Sequence, residues 1–435
     1  MTYSSFYPKR DIKKLSYLVY GLGSTGHSII NYFNKKKFTN YFVWDDKIKL
    51  RKKFSFKIIR NLKKKIAEVD YIVLSPGISL KKAKYKDDLM KFKEKIITDI
   101  DLLYMENINL RSIVVTGSNG KSTTCKMIAH LLKKNKFDVK LGGNIGTPVL
   151  NLKVKKNIFF VIEASSFQLS HSKFIHPNYA ILLNISNDHI EWHGSMQNYI
   201  KSKFKIFHLQ QKTDLALVNN NLKKIFLKNR YLGKLISIKS NEYKKIKSKI
   251  ENDYLKSPTN DENMYFVFTL AKLLKIQNKS FIKTMNSFVG LPHRYEIFLK
   301  KKNNIFINDS KATSFQAAKN SLLSKKNIYW ILGGLPKYKD KFYLDDIKKN
   351  IIKSYIIGKN INFFKKQLRS KIKFSVTKNL KESIIKVLKD IKISKKIHNT
   401  ILFSPCAASF DQFKNFENRG DHFKKLSKKY AKKYI

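Results

Sequence analysis

Cysteine is nearly absent from this sequence, and long apolar runs are missing. Its 435 residues include two cysteines, Cys125 and Cys406, which lie far apart in the chain. Two such residues build neither a disulfide framework nor a cysteine-based metal site, and they suit a reducing cytosol. No apolar run approaches the ~20 residues that span a bilayer, and the first residues do not resemble a secretion signal. We therefore expect a cytoplasmic protein without membrane insertion.

Acidic residues and arginine are scarce as well. Against 31 acidic residues stand 89 basic ones, which give a formal net charge of +58. Only eight of the basic residues are arginine, and the lysines are spread over the whole chain. An AT-rich coding sequence produces this bias, whereas a nucleic-acid surface concentrates basic and aromatic residues on one face. We expect solvated lysines, no specific nucleic-acid partner, and some attraction of anionic substrates.

The few glycines cluster where predicted strands end. Tyr17–Tyr20 precedes GLGSTG, Ser112–Thr116 precedes GSNGKS, and Asn327–Leu332 precedes a pair of glycines. Strands alternate with helical patterns throughout, which indicates α/β domains with parallel sheets. The length of the chain predicts more than one such domain. Further strands are predicted at Tyr41–Trp44, Tyr71–Leu74, Ile158–Ile162, Ala180–Ile185, Ile305–Ile307, Tyr355–Ile357 and Thr400–Phe403.

The strongest local motif is the GSNGKS segment, which joins a predicted strand to a helix at Lys121–Lys133. Backbone N–H groups of such a turn at a helix N-terminus cradle phosphate, while the lysine reaches the β- and γ-phosphates and the serine binds Mg²⁺. Val115 stands where the usual motif has its first glycine, so a purely structural turn is the alternative. The predicted ATP-binding residues here are Gly117, Ser118, Asn119, Gly120, Lys121, Ser122 and Thr123.

Two metal-ligand candidates follow neighbouring strands. Glu163 ends one apolar strand, and His189 lies shortly after the next. Ligands in doubly wound sheets bind beyond the carboxyl ends of the strands, so both side chains should converge on the phosphate loop. A lone carboxylate at a strand end often only caps a helix. Together with the loop, this pair predicts a site for Mg²⁺ or Mn²⁺.

The N-terminal GLGSTG segment, with Asp45 and Asp46 about 20 residues beyond, fits the dinucleotide fingerprint. Its physical content is narrower, because it provides a helix N-terminus for phosphate and a carboxylate for a ribose or a base. NAD and a UDP group both satisfy it. An NAD-dependent oxidoreductase is therefore an alternative, although it leaves the phosphate loop unexplained.

Three polar clusters lie among apolar residues: Leu291–Arg294, Asn308–Thr313 and Ser404–Ser409. Singly, each is most simply a loop with capping residues. Together with the preceding motifs, they resemble the Mur ligase family over essentially the whole chain. The shared strings are GLGSTG, SPGI, TGSNGKST, GNIG, EASSFQLS, NDH, YIKSKFKIF, LPHR, NDSKATS and SPCAASFDQFKNFENRGDHF. The last string, together with GLGSTG and SPGI, resembles the branch of the family that adds D-glutamate.

The resemblance implies three α/β domains. These are a Rossmann-like UDP-substrate domain at 1–108, a P-loop ATPase-like domain at 109–298, and a Rossmann-like amino-acid domain at 299–435, with joints at Met105–Leu110 and Gly290–Asn304. It also implies a monomeric ligase that uses ATP and two Mg²⁺ ions, with Mn²⁺ as a substitute. Its substrates are expected to be UDP-N-acetylmuramoyl-L-alanine and D-glutamate, joined through an acyl phosphate.

The resemblance also assigns roles to individual residues. Lys121, Glu163, His189 and Lys203 are the implied catalytic residues, and Lys203 lies where the family has a carbamylated lysine that serves the metal together with Ser122, Glu163 and His189. The nucleotide would further contact Asn263, Arg294 and Asp309. The implied UDP-substrate residues are Ser24, Thr25, Asp45, Asp46, Gly77 and Asn144. The implied D-glutamate residues are Lys311, Thr313, Lys337, Ser409 and Phe416.

Overall fold

The computed structural model describes residue 8 and residues 11–52, 54, 59–238, 241–256, 258–337, 340–342, 346–394 and 397–435. The chain divides into two compact units. The first comprises Met1–Ile246 and Asn263–Thr284, and the second comprises Lys247–Glu262 and Met285–Ile435. Among the helices that the structure describes, none combines the length and apolarity needed to cross a bilayer.

The first unit begins with a four-stranded parallel sheet in the order β2-β1-β3-β4. All four side chains of β1 are buried, as expected for a parallel strand in the interior of a sheet that is covered on both faces. The strands are β1 (Tyr17–Tyr20), β2 (Tyr41–Trp44), β3 (Tyr71–Leu74) and β4 (Ile96–Ile97).

A second sheet of the first unit has six parallel strands in the order β10-β9-β8-β5-β7-β6. Because β5 lies between β7 and β8, the loops that follow these three strands meet at one edge of the sheet. The strands are β5 (Ser112–Thr116), β6 (Val139–Gly143), β7 (Phe159–Glu163), β8 (Tyr179–Leu182), β9 (Leu215–Asn219) and β10 (Lys234–Ile238).

The second unit is built on a sheet in the order β11-β12-β16-β13-β14-β15. Its first pair is antiparallel, and the other pairs are parallel. The strands are β11 (Glu296–Lys301), β12 (Asn304–Asn308), β13 (Ile328–Gly333), β14 (Ile351–Ile357), β15 (Phe374–Lys378) and β16 (Asn399–Phe403).

Helices connect the strands in both units, and three helices, α11, α13 and α14, contain residues of both units. The first unit has α1 (Ser24–Lys35), α2 (Ile48–Arg51), α3 (Leu62–Glu68), α4 (Lys86–Lys91), α5 (Asp99–Glu106), α6 (Lys121–Lys134), α7 (Ser166–His171), α8 (Ile190–His193), α9 (Met196–Phe204), α10 (Lys223–Lys228) and α11 (Asn241–Lys247). The remaining helices are α12 (Asp253–Lys256), α13 (Pro258–Leu273), α14 (Asn278–Asn286), α15 (Phe315–Leu323), α16 (Ile361–Leu368), α17 (Leu380–Ile393) and α18 (Phe416–Tyr434).

The predicted bounds of β1, β2, β3 and β5 are confirmed residue for residue. The other predicted strands are confirmed within a few residues, and they are β7, β8, β12, β13, β14 and β16. The joint predicted at Gly290–Asn304 contains β11, which pairs with β12 across a two-residue turn. A boundary at residue 298 therefore cuts a hydrogen-bonded hairpin. The helix α18 begins at Phe416, where the Asn415 side chain caps it by accepting from Asn418 N at 2.7 Å.

Candidate active site

The phosphate loop connects β5 to α6, and its backbone requires glycine at two positions. Gly117 and Gly120 have φ angles of 157° and 84°. Gly120 is the N-cap of α6, and a Cβ at this position would clash with the side-chain oxygen of Asn263. The loop therefore leads into the N-terminus of α6 in a backbone conformation that L side chains rarely adopt.

Polar residues that follow β8 and lie on α9 hold this loop. Asn184 Oδ1 accepts from Asn119 N at 2.9 Å, and Asn184 O accepts from Ser118 N at the same distance. The Ser118 hydroxyl lies 2.8 Å from the Tyr199 hydroxyl and accepts from Ser186 N at 2.8 Å. Backbone and side-chain hydrogen bonds from these two segments thus fix the conformation of the loop.

Two lysines meet at one carbonyl of the loop. Lys121 Nζ donates to Gly117 O and Ser118 O, both at 2.9 Å, and Lys203 Nζ donates to Gly117 O at 2.7 Å. Lys203 is only 1% exposed. Burial is the main reason that the pKa of the Lys203 amine lies well below its ordinary range, and the positive charge of Lys121 lowers it further. This environment favours a neutral, nucleophilic amine beside the phosphate loop.

The carboxyl edge of the sheet offers oxygen ligands for a hard cation. Glu163 ends β7 next to Val115 of β5, and its Oε1 accepts from Asn144 Nδ2 at 2.8 Å. Its Oε2 is buried and has no hydrogen-bond partner in the described structure, and the same holds for Thr116 Oγ1. Two buried oxygens without donors suit Mg²⁺. The described residues contain no ready-made group of three or more His, Cys, Asp or Glu side chains that could hold a metal.

His189 lies after β8, so the strand order puts it on the opposite side of β5 from Glu163. It has a left-handed backbone with φ 55°, and its side chain is 43% exposed. Its Nε2 lies 3.4 Å from Asp188 Oδ2, and its ring lies 4.8 Å from that of Phe167. The sheet thus brings both predicted metal ligands to the edge that carries the phosphate loop.

A cavity of about 520 Å³ opens in the first unit beside the N-terminus of α1. Five of the predicted UDP-substrate residues line it, namely Ser24, Thr25, Asp45, Gly77 and Asn144. Asp45 is fixed there because Oδ2 accepts from Leu22 N at 2.7 Å and Oδ1 accepts from Lys47 N at 2.9 Å.

The sixth predicted residue, Asp46, has a structural role instead. Its carboxylate accepts from Tyr20 Oη at 2.6 Å, from Trp44 Nε1 at 3.2 Å and from Lys84 N at 2.9 Å. It is not among the described residues that line the cavity. The paired acidic residues of the sequence therefore point to different tasks, because successive side chains at a strand end face opposite sides of the sheet.

Two further cavity residues escaped the sequence analysis. Asp99 begins α5, and its Oδ1 accepts from Gln168 Nε2 at 3.1 Å. Burial raises the pKa of Asp99 to about 6. Gln168 also forms a capping box with Ser165, and this S-x-x-Q pattern was the available signal for it. Nothing in the sequence singles out Asp99.

Two of the nucleotide candidates outside the loop, Asn263 and Asp309, form hydrogen bonds within their own units. Asn263 Oδ1 accepts from Thr124 Oγ1 at 3.2 Å within the first unit. In the second unit, Asp309 accepts from Ser321 Oγ at 2.7 Å and from Ser404 Oγ at 2.9 Å. Burial raises the pKa of Asp309 to about 6, and Arg294 acts in the opposite direction.

All five predicted amino-acid residues lie in the second unit, and two of them are in contact. Lys311 Nζ lies 3.9 Å from the centre of the Phe416 ring, and Ser310 Oγ donates to Phe416 O at 2.8 Å. Ala408, next to the buried Ser409, exchanges two backbone hydrogen bonds with Leu335. This pairing fixes the segment that leads to Lys337. Thr313 lies partly buried in the loop that follows β12.

Comparison with known proteins identifies the family. The chain matches the family model of the Mur ligase middle domain over residues 115–280 and that of the MurD-like N-terminal domain of Mur ligases over residues 15–96. It is 36% identical to the UDP-N-acetylmuramoylalanine–D-glutamate ligase of Rickettsia felis, over 95% of this chain and 97% of the relative. The chain belongs to the Mur ligase family. The corresponding ligase of Hydrogenobaculum sp. is 33% identical over 96% of this chain and 99% of its own length.

Solved Mur ligases share the fold. The MurF ligase of Thermotoga maritima, determined in complex with ADP, aligns with a TM-score of 0.59 at 15% identity, over 98% of this chain and 100% of that chain. The UDP-N-acetylmuramate–alanine ligase MurC of the same organism aligns with a TM-score of 0.53 at 15% identity, over 96% and 100%. The three sheets thus form the three-domain α/β fold of Mur ligases. Membership in this family removes the oxidoreductase interpretation of the GLGSTG segment.

Proposed function

We propose that this protein is an ATP-dependent ligase that joins D-glutamate to UDP-N-acetylmuramoyl-L-alanine in peptidoglycan precursor synthesis. The observation that carries this proposal is the 36% identity to a ligase of that name over 95% of the chain. The preformed phosphate loop with Lys121 supports the use of ATP. ADP and phosphate are the other products.

The reaction has two chemical steps. The alanyl carboxylate of the nucleotide substrate attacks the γ-phosphorus of ATP, which forms an acyl phosphate and releases ADP. The amine of D-glutamate then attacks the acyl carbon, loses a proton, and expels phosphate through a tetrahedral intermediate. The loop N–H groups and the Lys121 ammonium hold the phosphates in line and stabilise their charge, which is the main demand of phosphoryl transfer.

Metal ions would bind at the carboxyl edge of the six-stranded sheet in the first unit, where the phosphate loop follows β5. Mg²⁺ supplies charge neutralisation at the phosphates when bound. The unpartnered Glu163 Oε2 fits such an ion, and Ser122, His189 and a carbamylated Lys203 would complete the holding set for two ions. Carbamylation joins the neutral Lys203 amine to CO₂ with loss of a proton, and it turns the side chain into a carboxylate-like ligand.

The organic substrates are assigned to different parts of the chain. In the cavity at the N-terminus of α1, Ser24 and Thr25 are placed to donate to the diphosphate and Asp45 to face the uracil. Gly77 and Asn144 would contact the sugar and its peptide stem. Asn263, Arg294 and Asp309 would contribute to the nucleotide site, and Lys311, Thr313, Lys337, Ser409 and Phe416 would bind D-glutamate. We further propose a cytoplasmic monomer with three domains, the last of which contains the whole β11–β12 hairpin.

A panel of amino acids tests the proposal. Phosphate release is measured with ATP, Mg²⁺ and UDP-N-acetylmuramoyl-L-alanine in the presence of D-glutamate, L-glutamate, L-lysine or meso-diaminopimelate. We expect release with D-glutamate only, and none when the nucleotide substrate is omitted. Turnover with a basic amino acid in preference to D-glutamate would refute the substrate assignment, and turnover without the nucleotide substrate would refute the ligase assignment.

A further inference from the structure

One arginine of the second unit is buried beneath the proposed amino-acid site. Arg419 lies in the first turn of α18 and is 1% exposed. All of its described hydrogen bonds go to neutral oxygens: Nε donates to Ser310 Oγ at 3.1 Å, and Nη2 donates to Ser310 O at 2.7 Å and to Ala407 O at 3.0 Å. Its Nη1 is buried without a partner in the described structure.

These contacts join the loops that carry the D-glutamate candidates. Ser310 precedes Lys311 and Thr313 in the loop after β12, and Ala407 lies two residues before Ser409 in the loop after β16. Ser310 Oγ accepts from Arg419 and also donates to Phe416 O at 2.8 Å, which ties in the start of α18. The guanidinium thus joins the loops after β12 and β16 to each other, and Ser310 joins them to the start of α18.

A fourth segment packs against the same group. A Cβ placed on Gly334 would lie 3.3 Å from Arg419 Nη1 and would clash with Ala408 O. Gly334 opens the turn whose next residue, Leu335, pairs with Ala408 and leads to Lys337. The turn that leads to Lys337 therefore lies beside the loop that Arg419 holds through Ala407.

Packing alone does not explain a charge at this position. Burial lowers the pKa of Arg419 to about 10, so the group still carries its charge at neutral pH. A buried charge solvated mainly by neutral groups costs stability, and an apolar side chain of similar volume often fills such a space at lower cost. The planar fork of the guanidinium, however, can bind two loops at fixed angles, which neither lysine nor an apolar residue does.

We propose that Arg419 is the positioning residue of the amino-acid site, which it aligns by holding the loops after β12 and β16 in register with the start of α18. This inference rests on the proposed function, since it assigns the loops to D-glutamate. Its consequence is specific. Loss of the fork loosens the pocket for the amino acid, while the nucleotide loop and the UDP-substrate cavity belong to the first unit and keep their own contacts.

Steady-state kinetics of Arg419→Met and Arg419→Lys test this role. We expect Arg419→Met to raise KM for D-glutamate by about 10- to 100-fold, the effect of losing hydrogen bonds to a charged group, and to leave KM for the UDP substrate within about threefold, because its cavity belongs to the first unit. Arg419→Lys keeps the charge without the fork and should recover only part of the loss. Phe423→Leu, a buried change on the same helix whose ring packs against Phe298 and Phe403 of the sheet, is the matched control for instability.

The outcomes separate positioning from simple stability. An unchanged KM for D-glutamate in a folded Arg419→Met variant would overturn the inference, as would an equal rise of KM for D-glutamate and KM for the UDP substrate. If Arg419→Met does not fold, Ser310→Ala removes the hydroxyl shared by Arg419 and Phe416, and the same selective rise or its absence decides the question. The proposed function is judged separately, because wild-type turnover with D-glutamate does not depend on these variants.

Discussion

At the scale of single residues, the two lysines that meet at Gly117 O have different tasks. Lys121 is the first residue of α6, and its Nζ donates to the loop, where its ammonium can bind the phosphates of the nucleotide. Lys203 is sealed between the loop and the ring of Tyr199, whose centre lies 4.7 Å from its Nζ. Burial holds the pKa of Lys203 well below its ordinary range, and this favours the amine form that can react with CO₂.

Replacing Lys121 tests the nucleotide assignment. We expect Lys121→Ala to lower the rate of phosphate release by about 10²–10³-fold or more, since a positioned charge at the phosphates is lost. Lys126→Ala is the matched control, because Lys126 is exposed on the same helix. Near-normal turnover of Lys121→Ala would show that the loop does not serve ATP.

Lys203 carries a prediction about its chemical form. After equilibration with ¹³C-bicarbonate, the wild-type protein should show a carbamate carbon in its NMR spectrum, and this signal should be missing in Lys203→Ala. Turnover of that variant should fall about 10²-fold or more, because a group at the phosphoryl-transfer site is removed. Lys201→Ala changes an exposed neighbour and should keep both the signal and the activity. A carbamate signal that persists without Lys203 would contradict the assignment.

Asp99 makes stability depend on pH. Its pKa is raised to about 6 in the folded protein, so its contribution to stability is present at low pH and is lost as pH rises through about 6. Relative to Asp99→Asn, the wild type should lose up to about 3 kcal/mol of unfolding free energy between about pH 4 and pH 8. Denaturant unfolding at both pH values measures this difference. The exposed Asp87→Asn should show no such trend, and a pH-independent difference for Asp99→Asn would refute the prediction.

At the scale of elements, the junction of β5 and α6 determines the nucleotide site. β5 is buried at every position, and α6 begins directly after a left-handed glycine. The strand aims the loop at the sheet edge, and the helix presents its N-terminus there. The flanking strands then place Glu163 and the His189 segment on either side, so that three consecutive connections share one site.

Glycine at position 120 is required by this junction. We expect Gly120→Ala to destabilise the protein by about 1–3 kcal/mol, because its φ of 84° strains an L side chain and its Cβ would clash with Asn263. ADP affinity should fall with it, as measured by calorimetry beside thermal unfolding. Gly23→Ala is the matched control, since Gly23 has φ −74° and open space around its Cβ. Equal stability of the two variants would show that the strain argument is wrong.

At the scale of the whole molecule, the net charge of +58 acts on substrates that are themselves anionic. Long-range attraction of this kind is screened over about 10 Å at moderate salt and less than half that distance near 1 M. We expect KM for ATP and for the nucleotide substrate to rise several-fold as NaCl increases from about 0.05 to about 0.5 M, with little change in kcat at saturation. KM values that do not respond to salt would restrict the role of the lysines to solubility.

The sequence by itself determined the alternation of strands and helices, the phosphate loop, and the family. These are local properties, since apolar runs, glycine spacing and contiguous motifs are written along the chain. Lys203 was predicted only through the family resemblance. Lys201 and Lys205 are equally basic neighbours, and nothing in the spacing of the three lysines singles out Lys203.

Only the tertiary structure decided which polar residues are free to act. It gave Asp45 to the cavity and Asp46 to a structural network, it placed Asp99 and Gln168 in the cavity wall, and it buried Lys203 under the phosphate loop. It also gathered four separate segments around Arg419. Burial, pKa and hydrogen-bond partners depend on residues that are far apart in sequence, and therefore no local pattern encodes them.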